Sequence, residues 1–315
     1  MVGRSWGRPL WVAWAFAWGL VPALMSGLLP ALASADDAVA EELAELTVRL
    51  NEAPADVTLR LDRAAAWRRA GRYEEALDDL RVAAALAPRS PRHRLETARV
   101  RVELGELEAA RAELDGLLGD APPRGLRWAA WALRASVQLA LGDARGALDD
   151  YRAASAIRLT VDLALGEGRA LRRLGALDEA ARRYREALPA LGGARLVRLA
   201  LVETLRDAGR PAEALAALEE APPRGLKARW QLRRAQLLDD LGRPAEARAA
   251  REAALAEAHR RAVLRPSAGA LLERARARLA LGEREAARAD ALRARALAPT
   301  WRPVGAFLAR LEARR

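Results

Sequence analysis

The chain has 315 residues, 52% of them hydrophobic and 30% charged, with a formal net charge of +11 at pH 7. Alanine and leucine dominate the apolar fraction while β-branched and aromatic residues are sparse, so the composition favours helix and leaves little to build strands from. The absence of cysteine excludes a disulfide framework and a lipid-bearing N-terminal cysteine, and the interleaving of acids with bases reads as solvated helix faces.

Residues 1–35 differ from everything after them. Arg4 and Arg8 precede an apolar run from Leu10 to Leu32, and the segment ends in ALASADD. Small residues at Ala31, Ala33 and Ala35 suit a signal peptidase, with cleavage after Ala33 or Ala35. This predicts an exported, periplasmic protein. The alternative is an uncleaved inner-membrane anchor over residues 10–32, which Gly19, Pro22, Gly27 and Pro30 weaken; membrane contact then runs through this segment alone.

Residues 36–56 open with DDAVAEELAELTVRLNE, an amphipathic pattern that predicts a capping helix. From 57 to 300 one pattern recurs, anchored by a glycine followed by acids and an alanine: GRYEEA at 71, GELEAA at 105, GDARGA at 142, GALDEA at 175, GRPAEA at 209 and 242, and GEREAA at 282. Five residues after each glycine stands an alanine (Ala76, Ala110, Ala147, Ala180, Ala214, Ala247, Ala287). Small residues also recur seven before it (Ala64, Ala98, Ala135, Gly168, Ala235, Ala275) and twelve after it (Ala83, Ala154, Ala187, Ala221, Ala254, Ala294). Such spacing lets antiparallel helices approach closely, and the glycine supplies the turn between them.

These residues resemble the tetratricopeptide repeat, a helix–turn–helix unit of about 34 residues, and GRYEEALDDLRVAAALAP at 71–88 is the best single match. The resemblance implies an all-α fold: an α-solenoid, a right-handed superhelix of about seven repeats. Of the family's aromatic positions, Trp67, Tyr73, Trp131, Tyr151 and Tyr184 survive. Residues 301–315 predict a C-terminal capping helix with Phe307, Leu308 and Leu311 inward, because solenoid ends must cover an apolar face.

The hexapeptide APPRGL occurs at Ala121–Leu126 and Ala221–Leu226, each copy 21 residues before the following glycine. Its placement predicts punctuation: Pro-Pro stops one helix and Arg-Gly-Leu turns the chain into the next. The second helix of the fifth repeat is expected to be about one turn shorter than that of the second.

No catalytic, metal or cofactor constellation stands out. His93 and His259 read as lone surface residues near helix ends, and Asp78-Asp79, Asp149-Asp150 and Asp239-Asp240 diverge on a helix. The resemblance implies instead a concave groove lined by the first helix of each pair, at positions two, three, six, ten and thirteen before each glycine. Those positions hold Arg68, Arg69, Arg92, Arg99, Arg169, Arg172 and Arg173 toward the N-terminus, and Glu203, Asp207, Asp239 and Asp240 further on. The expectation is a non-catalytic scaffold in the cell envelope that captures a protein or peptide partner, of acidic character at the N-terminal half. The alternatives are a binding module for an anionic envelope polymer and an accessory subunit of an envelope enzyme or secretion complex. A carboxylate clamp of asparagines and lysines is excluded, since Asn51 and Lys227 are the sole residues of their types; nucleic acid is not expected as a partner.

Overall fold

The computed structural model describes residues 29–88, 90–221 and 227–313. Residues 1–28, which hold most of the segment read above as an export signal, and residues 222–226, the body of the second APPRGL copy, lie outside them. Among the described residues there are sixteen helices and no strand. None of these helices is long and apolar enough to cross a membrane.

The helices are α1 (Leu29–Glu52), α2 (Val57–Arg69), α3 (Tyr73–Leu86), α4 (Pro91–Leu104), α5 (Leu107–Gly119), α6 (Arg124–Leu141), α7 (Ala144–Ile157) and α8 (Val161–Arg173). They continue with α9 (Leu177–Ala190), α10 (Arg195–Asp207), α11 (Pro211–Glu219), α12 (Lys227–Asp240), α13 (Pro244–Leu264), α14 (Ala268–Ala280), α15 (Arg284–Leu297) and α16 (Arg302–Glu312). Contacts divide the chain into two units, one ending at Ala130 and one beginning at Trp131.

In the first unit α2 packs on α3 and α4 on α5, with α1 against α2. Leu43, Leu46 and Leu50 of α1 are buried with Leu59 and Ala66, so one stripe of α1 covers the first pair. In the second unit α8/α9, α10/α11, α12/α13 and α14/α15 pair in the same way, and α16 closes on α15. Val304, Phe307, Leu308 and Leu311 of α16 join the core of Leu272, Ala275, Ala287 and Ala291.

One local device repeats at every pair. Gly71, Gly105, Gly142, Gly175, Gly209, Gly242 and Gly282 all take φ between 69° and 94°, in the left-handed region. The residue after each glycine donates its N–H to the carbonyl five residues back, as Arg72 does to Trp67 and Glu283 to Arg278. This satisfies carbonyls orphaned at the helix end and reverses the chain. The alanine five residues beyond each glycine is fully buried in all seven cases, where a larger side chain would hold the helices apart.

Three expectations are corrected. Ala221 is exposed rather than packed, because α11 ends at Glu219, four residues shorter than α5 with its 13, and no longer carries that position inward. Arg124, Gly125 and Leu126 do not form a turn: α6 begins at Arg124, and the reversal is made before it, where Ala121 takes φ 47°. His93 is not a surface residue. It is 9% exposed, because α4 packs on both α3 and α5 and even its first turn has an inward side.

Candidate interaction face

The first helix of each pair carries the positions singled out in the sequence, and the structure shows what their charges touch. Arg68 meets Glu103 at 2.5 Å, Arg172 meets Asp207 at 2.6 Å and Arg206 meets Asp240 at 2.5 Å. In each case an arginine three residues before one glycine reaches an acid two residues before the next, forming a ladder along α2–α4 and along α8–α10–α12. Where the second pair member is missing, a helix end substitutes: Arg173 donates to the Leu139 carbonyl at 2.8 Å.

The remaining candidates are also engaged. Arg69 pairs with Glu42 at 2.7 Å, Arg92 with Asp62 at 3.9 Å, Arg99 with Glu96 at 2.5 Å, Glu203 with Arg233 at 3.0 Å, and Asp239 with Arg251. Among the described residues, Arg169 donates only to its own helix, at the Leu165 carbonyl 3.2 Å away. The charge bias of the N-terminal positions is thus largely met by neighbouring helices, with nine of the eleven candidates in ion pairs.

A second set of charges lies inside the pairs. Arg63 donates to both oxygens of Asp79 at 2.7 Å, Arg134 to Asp150 at 2.6 and 2.7 Å, and Arg274 to Asp290 at 2.7 and 2.6 Å. Arg183 donates to Glu167 at 2.7 Å. Every one of these pairs joins the positions eight before and eight after a glycine, and in the fourth repeat the polarity is inverted, with the acid on the first helix. The acids are buried, so each pair stitches two helices where an unpaired carboxylate would be costly.

Between α10, α12 and α14 the face opens into a cleft of about 470 Å³. Leu196, Leu199, Trp230 and Leu232 supply its apolar lining. Leu196 and Arg229 stand thirteen before their glycines, Leu199 and Leu232 ten before, and Arg276 six before, so the cleft falls on the groove register. The Trp230 indole N–H donates to the Leu218 carbonyl at 3.2 Å, which fixes the ring in the wall.

The family model of the tetratricopeptide repeat matches residues 68–137. Residues 68–137 are thus a tetratricopeptide-repeat segment. Yeast Tom70 is similar in fold, with a TM-score of 0.56 at 15% identity over 89% of this chain and 60% of that one. A tetratricopeptide repeat protein from Parabacteroides merdae ATCC 43184 aligns at 20% identity over 87% of this chain and 92% of its own, with a TM-score of 0.47. YrrB, a tetratricopeptide-repeat protein with an unusual peptide-binding site, aligns at 16% identity over 66% of this chain and 97% of its own, also with a TM-score of 0.47. No curated protein matches the chain.

Tetratricopeptide repeats are generally non-catalytic scaffolds for protein–protein interaction. In this chain the adjacent carboxylates diverge: Asp78 pairs with Arg81 while Asp79 turns to Arg63, and Asp239 pairs with Arg251 while Asp240 turns to Arg206. The sequence missed two things. The buried eight-before, eight-after pairs were visible as opposite charges in four of the seven repeats, obscured by the inverted fourth copy and by the three repeats without the pair. The cleft was not visible, because Trp230 stands at an inward position, twelve before its glycine, rather than on the groove register, and Arg276 gains its meaning only from α10 and α12.

Proposed function

We propose that this repeat protein is a non-catalytic scaffold that holds a segment of a partner protein along the face of its first helices, and that it acts in the cell envelope after export. The observation that carries the binding reading is the cleft across α10, α12 and α14, an apolar surface on a face most of whose charges are internally paired. A peptide presents apolar side chains at regular spacing and so fits such a surface. The anionic-polymer reading draws less support, since most arginines on this face already hold a carboxylate. The export reading rests on residues 1–35.

Photo-crosslinking residues placed singly at Arg169, Leu196 and Arg229 test the binding reading in cells. Adducts with the same partner are expected from these positions and not from Arg248, an exposed residue of the second helix α13. Adducts from Arg248 alone would contradict it. For export, the intact mass of the recovered protein is expected to lack residues 1–33 or 1–35; a chain beginning at Met1 contradicts cleavage.

A further inference from the structure

We infer that the cleft between α10, α12 and α14 is a docking site for an acidic peptide segment, which lays an apolar side chain against Leu196, Leu199 and Trp230 and places a carboxylate at Arg276. The inference rests on the scaffold reading and adds the chemistry of the partner.

Five arginines surround the cleft: Arg195, Arg198, Arg229, Arg233 and Arg276. The acids near them are already committed. Glu220 pairs with Arg198, Glu203 with Arg233 at 3.0 Å, and Glu273 with both Arg229 at 3.0 Å and Arg261 at 3.2 Å. Arg195 and Arg276 form no ion pair among the described residues, so the rim carries an excess of positive charge over an apolar floor. Arg276 is also half-buried, and burial followed by repulsion from Arg229 lowers its pKa. The attraction of Glu273, which is already held by Arg229 and Arg261, offsets this only in part, so an incoming carboxylate adds the charge-assisted hydrogen bonds that Arg276 lacks.

The floor decides between kinds of anion. Leu196 is 55% exposed among the described residues, and a polyanion without apolar groups would leave it wet. A peptide that alternates acidic and apolar residues satisfies both surfaces with one strand of chain. A fully charged polymer satisfies only the arginines.

Fluorescence anisotropy of a labelled, end-blocked short peptide alternating glutamate and leucine tests this on the full mature chain. Binding is expected, with its glutamine counterpart and polyglutamate both weaker. Arg276→Gln is expected to weaken binding by about tenfold or more, the usual scale for losing a charge-assisted contact. Leu196→Ser, at an exposed position that folding does not need, is expected to weaken the leucine peptide while leaving polyglutamate unchanged. Equal binding by Arg276→Gln, equal binding of the glutamine peptide, or no binding up to about 1 mM overturns the inference. Polyglutamate binding as tightly as the leucine peptide overturns it in favour of a polyanion. Crosslinks from Arg169, Leu196 and Arg229 that persist in Arg276→Gln would sink this inference while leaving the scaffold reading standing; loss of every crosslink from the wild-type face would sink the scaffold reading itself.

Discussion

Two glycines inside α8 show how single residues set the packing. A Cβ on Gly168 would lie 2.1 Å from the Tyr184 ring, and one on Gly166 would lie 2.4 Å from the Tyr151 ring. Both rings are buried, so neither has room to yield. Alanine is the better helix former by about 1 kcal/mol, but overpacking a closed core typically costs about 1–3 kcal/mol. Gly168→Ala is therefore expected to lower the thermal midpoint, whereas Gly125→Ala in α6, with nothing within 4 Å of the new Cβ, is expected to be neutral or stabilising. Calorimetry on both variants checks the sign. His93 gives a second residue-scale expectation. Burial, with the Arg94 charge adding to it, lowers its pKa below the ordinary 6.5. The unfolded chain then takes up the proton first, so the His93 contribution is complete above pH 6.5 and declines as the pH falls below it. Urea unfolding between pH 7 and about 5, above the carboxylate range, is expected to show stability falling with pH, and His93→Gln is expected to flatten that slope.

At the scale of elements, the two kinds of ion pair differ in weight. Asp290 is buried and accepts from Arg274 at 2.7 and 2.6 Å and from Arg278 at 3.0 Å, binding α14 to α15. Asp290→Ala strands a guanidinium and is expected to cost about 3–5 kcal/mol. Arg172→Gln breaks a solvent-screened rung of the ladder and is expected to cost less than about 1 kcal/mol. Denaturant midpoints for the two variants separate the cases, and comparable losses would contradict the ranking. The helices themselves were legible because the glycine register marks each turn and the buried alanines mark each contact. The short α11 was legible too, from the unequal distances between APPRGL and its flanking glycines. His93 was misread because a helix start was equated with solvent, though α4 lies between two neighbours. The face was legible only as a register: sequence gives the position of Arg172, and its partner Asp207 follows only once α8 and α10 are laid side by side.

At the scale of the molecule, stability in a repeat array is summed from each pair and its contacts with the next, so the ends matter. Ending the chain before Arg302 removes the four buried side chains Val304, Phe307, Leu308 and Leu311 and uncovers the α14/α15 core. At about 1.5–3 kcal/mol for each buried side chain, that loss exceeds what any surface pair contributes. The truncated chain is expected to bind a hydrophobic dye and to unfold at lower denaturant; an unchanged midpoint would mean that α16 is no cap. In the second unit, α10, α12 and α14 are proposed to form the face that holds a partner. Amide hydrogen exchange of the full chain with and without its crosslink-identified partner tests it most directly. Added protection is expected in α10, α12 and α14, with α13 and α15 unchanged. Protection confined to α13 and α15 would contradict it.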